Sequence, residues 1–196
     1  MKERDCMMCQ SKRLTLREYK TQDLDLFYSV FSNKDVMKYA FLPRYESKED
    51  ILPYFESVLK NNENLINRPA YEFGIYLTED NKYIGHVDIE VHYLNQYGGC
   101  GEIGYFILPE YWGSGYATEV AELLLAISFE NINLHRVSAS CNSKNLPSEN
   151  IMKKLGMQKE GVARKVRFKD GRWDDQFNYS ILKEEWKGGR SNLNHI

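Results

Sequence analysis

The segment Arg13-Leu14-Thr15-Leu16-Arg17-Glu18-Tyr19 alternates apolar and polar positions, the period-two signature of a strand with one buried face. Behind it, Leu24, Phe27, Tyr28 and Phe31 fall at i, i+3, i+4 and i+7, which predicts a helix with Thr21 as its cap. Ser47-Lys48-Glu49-Asp50 opens a second helix in the manner of a capping box, with Ile51, Phe55, Val58 and Leu59 on one face. Pro53 in that segment argues for a helix start a little after Ser47, because proline is best tolerated in a first turn. A meander follows. Tyr71, Phe73, Ile75 and Leu77 alternate, Glu79 to Lys82 turn the chain, and Val87, Ile89 and Val91 alternate again. Gly98-Gly99 then separates a nearly continuous apolar run, Glu102 to Leu108, of the kind buried on both faces.

Pro109 ends that run, and Tyr116, Val120, Leu123, Leu124 and Ile127 mark a long amphipathic helix. A strand over Arg136 to Cys141 and a short helix over Asn145 to Leu155 come next, with Gly156 where a left-handed cap belongs. Val162 to Phe168 and Trp173 to Leu182 close the chain as a hairpin turned by Asp170-Gly171. The element order is βααβββαβαββ, which predicts an α+β domain with one curved mixed sheet flanked by about four helices. A single domain over residues 11–187 is expected, with a loose arm over 1–10 and a loose tail over 188–196.

Composition narrows the field. The 196 residues are 42% hydrophobic and 28% charged, with a formal net charge of -2 and a pI near 6.1. That balance lacks the basic footprint of a nucleic-acid binder. The apolar runs fall short of the ~20 residues that span a bilayer, and a cytoplasmic location is expected. The four cysteines, Cys6, Cys9, Cys100 and Cys141, are expected to be reduced. Cys6 and Cys9 form one CxxC without a second ligand pair, and read as two exposed thiols rather than a metal site.

The chemistry concentrates in Trp112-Gly113-Ser114-Gly115-Tyr116-Ala117, between a strand and a helix. Glycines there let the backbone turn tightly and present unpaired N–H groups, and the helix dipole adds positive potential, a fit for phosphate oxygens. Taken alone, the same residues also serve as a mere turn. A Walker loop is excluded because no GxxxxGK string occurs, and a dinucleotide fingerprint because Thr118 stands at its third glycine position.

Three blocks together carry a family resemblance: Arg13 to Arg17, Gly101-Glu102-Ile103-Gly104-Tyr105 through Glu119, and Arg136-Val137 through Asn145 to Asn150 with Lys154 to Met157. The chain resembles the GNAT superfamily of N-acetyltransferases and, within it, the RimJ/RimL branch that acetylates protein N-termini. The resemblance implies acetyl-CoA as the co-substrate. It implies that backbone amides of Gly113, Ser114, Gly115, Tyr116, Ala117 and Thr118 hold the pyrophosphate. It implies that Ile107 and Leu108 pair with the pantetheine arm, one N–H there facing the thioester oxygen, and that Asn145 contacts the arm. Glu110 replaces the Gln or Arg usual three residues before the first glycine, a change of little weight where backbone groups do the binding.

Acetyl transfer needs an uncharged amine, and α-amines and lysines carry reference pKa values of about 8 and about 10.4, so a base is required. Glu102 is the candidate, through water; a solvated strand residue is the alternative. The superfamily's usual tyrosine acid, seven residues after the asparagine, is replaced by Met152. Ser148 matches the branch's serine and becomes the candidate partner of the leaving thiolate; simple helix capping is the alternative. His86, His92, His135 and His195 lack metal-like spacing and read as structural or surface groups, with His86 also placed to line an acceptor cleft. No metal is expected. Phe27, Tyr28, Phe31, Tyr39, Phe41, Tyr45 and Tyr71 are either cleft or core. The acceptor reads as a protein N-terminal amine, with a small amine such as an antibiotic or polyamine, or a non-catalytic CoA-binding module, as alternatives. A homodimer is also compatible with the family.

Overall fold

Alternation along the chain is realised as one eight-stranded sheet in a computed structural model that describes residues 8–64 and 68–187. The strands are β1 (Met8–Gln10), β2 (Leu14–Glu18), β3 (Ala70–Leu77), β4 (Tyr83–Asn95), β5 (Gly98–Ile107), β6 (Leu134–Asn142), β7 (Gln158–Lys169) and β8 (Arg172–Leu182). Their order is β1-β2-β3-β4-β5-β6-β8-β7, antiparallel throughout except for the β5–β6 pair. The helices are α1 (Leu24–Phe31), α2 (Lys34–Met37), α3 (Lys48–Glu63), α4 (Tyr116–Ala126) and α5 (Leu146–Lys154).

The period-two pattern separates two apolar layers. One face of the sheet joins Phe73, Ile75, Val87, Ile89, Ile103 and Val137 to Val120, Leu123 and Leu124 of α4 and Met152 of α5. The opposite face packs Phe106, Tyr76 and Tyr83 against Phe27 and Phe31 of α1 and Ile51, Phe55 and Val58 of α3. The β4–β5 contact is close enough to forbid a side chain at Gly85, whose added Cβ would lie 2.1 Å from the Phe106 carbonyl oxygen. That neighbour is backbone and cannot rotate away. Gly85→Ala is therefore expected to cost about 1–3 kcal/mol through overpacking, a fall of ~5 °C in Tm read by thermal unfolding; an unchanged Tm would refute this close approach.

Several local expectations are revised. Met8–Gln10 is not a loose arm: it pairs with β2, and Cys9 is buried there with its thiol pushed up to about 11 by that burial. The rest of the expected arm, including Cys6, and the expected tail lie outside the described residues. Thr21 begins a short 3-10 turn instead of capping α1; the Asp23 carboxylate accepts from the Lys20 N–H at 2.8 Å. Helix α3 starts at Lys48, capped by Ser47 Oγ accepting from the Asp50 N–H at 3.1 Å, and runs straight through Pro53. Proline at that sixth position frees only the carbonyl of Glu49, on an exposed turn where water can bond it. Gly98 and Gly99 belong to β5, not to the turn before it. The four-residue α2 has too little periodicity to read and went unforeseen.

The hairpin signal and the last helix cap came out as read. Asp170 and Gly171 both adopt positive φ, 50° and 77°, as a tight hairpin turn requires, and Gly156 caps α5 at φ 78°.

Candidate active site

The β5–β6 pairing stops early. Gly99, Cys100, Gly101 and Glu102 pair with Leu134, Arg136, Val137 and Ser138, after which β5 continues to Ile107 and β6 to Asn142 without ladder contact between them. β4 holds β5 along its length and β8 holds β6, so the two strands splay into a gap in mid-sheet. A cleft of about 1390 Å³ runs through it, lined on one side by the N-terminal end of α4 and by α5, and on the other by α3 and the loop after α2.

Strand alternation decides which backbone groups face the gap. The Leu108 N–H donates to the Ile84 carbonyl at 2.9 Å. Phe106, Gly104 and Glu102, in phase with Leu108, likewise turn their backbone groups to β4. Ile103, Tyr105 and Ile107 present theirs to the gap. Of the two residues expected to meet a pantetheine arm, Leu108 is thus turned away and sits in the α1/α3 core. Ile107 offers its N–H, while its carbonyl accepts from the Trp112 indole at 2.7 Å.

At the α4 end of the cleft, Gly115 is the N-cap of α4 in a left-handed conformation, φ 81°, with no side-chain cap on the first turn. Gly113 has φ 78° and open space where a Cβ would stand. The helix therefore begins with uncapped N–H groups at Tyr116, Ala117 and Thr118, which line the cleft with Gly113 and Gly115. Ser114 lies outside that lining; its carbonyl accepts from Arg13 Nη1 at 3.0 Å. Arg13 also donates to Glu119 through Nε at 2.6 Å and stacks 4.6 Å from the Tyr116 ring centroid. Partial burial opposes ionisation of Glu119, but bonds from Ser11 and Arg13 outweigh it and hold the carboxyl below its ordinary value. Arg13, from the β1–β2 turn, fixes the loop from about a hundred residues away in sequence. Only its place in a strand pattern was visible beforehand.

At the gap itself, Ser148 lines the cleft one turn into α5. Asn145, not Ser148, caps that helix, its Oδ1 accepting from the Ser148 N–H at 3.3 Å. The Ser148 hydroxyl is left free of capping and lies 2.9 Å from the Tyr105 hydroxyl. Burial first of all raises the Tyr105 phenol to about 12. Cys141, nearby on β6, has its thiol pushed up to about 11 by burial and then by Glu149.

On the opposite face, Glu102 is half-buried and accepts from Ser140 Oγ at 2.5 Å. It does not stand alone. Glu90 is directly opposite it across the β4–β5 ladder, and Glu72 is opposite Asp88 across β3–β4. All four carboxylates line the cleft. Burial, then Glu72, Glu90 and Glu102, push Asp88 well above the usual carboxylate range. Burial also raises Glu72 to about 6, although Tyr54, Arg68 and Asn61 pull the other way. Asp88 fits because residue 104 is glycine, whose added Cβ would fall 2.4 Å from Asp88 Oδ1.

His86 is fully buried, its Nδ1 3.0 Å from the Tyr19 hydroxyl, its Nε2 3.8 Å from Asp88 Oδ1, and burial lowers it to about 3. It is a neutral core group beneath the cleft, not a wall of it. Of the aromatic residues, Tyr39 and Phe41 line the cleft, whereas Phe27 and Phe31 are core and Tyr28, Tyr45 and Tyr71 pack against the apolar clusters. Among the described residues, no grouping of three or more metal-ligating side chains occurs and no helix is long and apolar enough to cross a membrane.

Comparison with known proteins agrees with this geometry. Residues 13–158 match the family model described as "Acetyltransferase (GNAT) domain". The chain is 34% identical over 180 residues to the uncharacterized N-acetyltransferase YnaD of Bacillus subtilis, covering 92% of this chain and 99% of that one. A putative ribosomal N-acetyltransferase of B. subtilis, YdaF, is 35% identical over 100 residues, 51% of this chain and 55% of its own. The spermidine N(1)-acetyltransferase of Vibrio cholerae is 25% identical over 90% of this chain and 96% of its own. A crystal structure of a GNAT-family acetyltransferase from Bacillus anthracis superposes with a TM-score of 0.74 at 32% identity, covering 91% of this chain and all of the other.

Proposed function

Because the chain belongs to the GNAT family of acetyl-CoA-dependent N-acetyltransferases, we propose that its gap is the transfer site and its acceptor a small polycationic amine of the spermidine type. The observation that carries this reading is the paired carboxylates Glu72–Asp88 and Glu90–Glu102 on the acceptor side. Acidic groups directly opposite on neighbouring strands repel when ionised, which adds to burial in raising Asp88, and a bound cation relieves that repulsion. Strands lie ~4.8 Å apart and the two pairs ~7 Å apart along them, a patch on the scale of two ammonium groups joined by a short alkyl chain. Tyr39 and Phe41 supply apolar walls for such a chain. Similarity to spermidine acetyltransferase over nearly the whole chain supports the same reading.

Acetyl-CoA supplies an activated acetyl group as a thioester. The amides of Gly113 and Gly115 through Thr118 hold its pyrophosphate, where the helix dipole favours anions. The Ile107 N–H faces the thioester oxygen as a preorganised donor. Glu102 accepts the amine proton, directly or through one water. Ser148, its hydroxyl free of capping, faces the sulfur.

A protein N-terminal amine, the acceptor that the RimJ/RimL resemblance implies, draws support from the half-length likeness to the ribosomal-type relative. It brings one positive charge to a patch of four acidic side chains. Thiol release from acetyl-CoA, followed with spermidine and with a panel of short peptides, separates the two: faster turnover of peptides than of spermidine overturns the polyamine reading. The patch also sets a pH dependence. Glu72 is raised to about 6, so it is neutral below that pH and charged above, and a cation binds the charged form. Calorimetric affinity for spermidine without acetyl-CoA is expected to weaken as pH falls through about 6, and Glu72→Gln to flatten that limb.

A further inference from the structure

The usual tyrosine acid is absent, since Met152 is fully buried at its place, yet a tyrosine from a different element meets Ser148. Tyr105 projects from β5 across the mouth of the gap, and its hydroxyl lies 2.9 Å from Ser148 Oγ and 3.4 Å from the Ser148 carbonyl. We propose that Tyr105 is a positioning residue for the departing thiolate, acting through Ser148: its O–H donates to Ser148 Oγ and thereby turns the serine proton into the gap, toward the sulfur. The inference rests on the reading above that Ser148 faces that sulfur.

At 2.9 Å either hydroxyl can donate, and the phenol is taken as the donor. A serine hydroxyl has one proton and two lone pairs. With a phenol donating to it, Ser148 has its proton left for the Cys141 sulfur or for the gap, and the gap is where a negative charge develops. The Ser148 N–H is already bonded to Asn145 and the helix turn around it is fixed, so the oxygen is held still while only its proton chooses a direction. No proton is transferred from the tyrosine. When the carbon–sulfur bond breaks, its electron pair stays on sulfur, and the chain Tyr105 O–H, Ser148 O–H, S⁻ meets the charge by hydrogen bonding before water protonates it. The phenol, raised to about 12, keeps its proton throughout the working pH range, which suits a donor that never ionises. Such a chain gains from mutual polarisation in a site shielded from water. It also answers the difficulty that serine by itself is a poor acid.

A double-mutant cycle tests this, with kcat and the KM for acetyl-CoA measured for Ser148→Ala, Tyr105→Phe and the pair. Ser148→Ala is expected to lower kcat ~30-fold and Tyr105→Phe ~10-fold, each with KM within about twofold, as fits loss of a bond made only as charge develops. In the Ser148→Ala background, Tyr105→Phe is expected to change kcat by less than about twofold, because its route to the sulfur is gone. An unaffected Ser148→Ala enzyme overturns the placement of Ser148 at the sulfur. A damaged Ser148→Ala enzyme with Tyr105→Phe either harmless, fully multiplicative, or acting on KM alone overturns the role of Tyr105 and leaves that of Ser148 standing.

Discussion

Glu102→Gln is expected to lower kcat by about two to three orders of magnitude, within the range that a positioned general base contributes. Glutamine matches the shape of glutamate and can still accept the 2.5 Å bond from Ser140, so the strand and the splay beside it should persist. What disappears is the ability to take a proton from the acceptor's ammonium. The residue stands at the last β5–β6 ladder position, where the sheet opens, and lines the cleft. Because the cofactor loop is built from other elements, CoA affinity measured by calorimetry should stay within about twofold. A rate equal to that of the native enzyme would remove Glu102 as the base. Glu90, directly opposite it across the β4–β5 ladder and lining the same cleft, would then be the group to replace.

The second large effect is on binding. Gly115→Val is expected to weaken acetyl-CoA at least ~100-fold, as read by calorimetry or by the KM for acetyl-CoA. Gly115 has φ 81° at the start of α4, a conformation that costs a non-glycine residue about 1–3 kcal/mol and a β-branched one most. Relief of that strain rotates the peptide out of the left-handed region and swings the N–H groups of Gly115 and Tyr116 away from a common focus. The new side chain also starts within 3.6 Å of Arg13 Nη2, the guanidinium that pins the loop to Glu119. Each tenfold in affinity is about 1.4 kcal/mol, so strain and lost phosphate bonds together account for the expected loss. A native dissociation constant would mean that these amides do not carry the pyrophosphate.

Local order was legible because it repeats locally. Alternation in β2, β3 and β4 and the three-and-four spacing in α1, α3 and α4 state which side of an element each residue occupies. The glycine-rich loop was legible for the same reason, since positive φ demands particular residues at particular places, and so was the Asp170-Gly171 hairpin. Short elements escaped: β1 with three residues and α2 with four hold less than one informative period.

What lies between elements was not legible. Nothing in a run of sequence states that Glu72, Asp88, Glu90 and Glu102 fall in two cross-strand pairs, because that depends on the register of three strands. Nor does it state that Arg13 reaches the loop at Ser114, or that the tyrosine near Ser148 comes from β5 instead of α5. The amino-acid sequence alone determined the layered α+β architecture, the glycine-rich turn before α4, and the family to which its blocks are similar. Only the tertiary structure decided the rest: where β5 and β6 part, which backbone N–H faces the gap, and which carboxylates and hydroxyls share it. Periodicity encodes the face of an element, whereas a reaction site is made where faces from distant segments converge, and that convergence is set by strand register and packing over the whole chain.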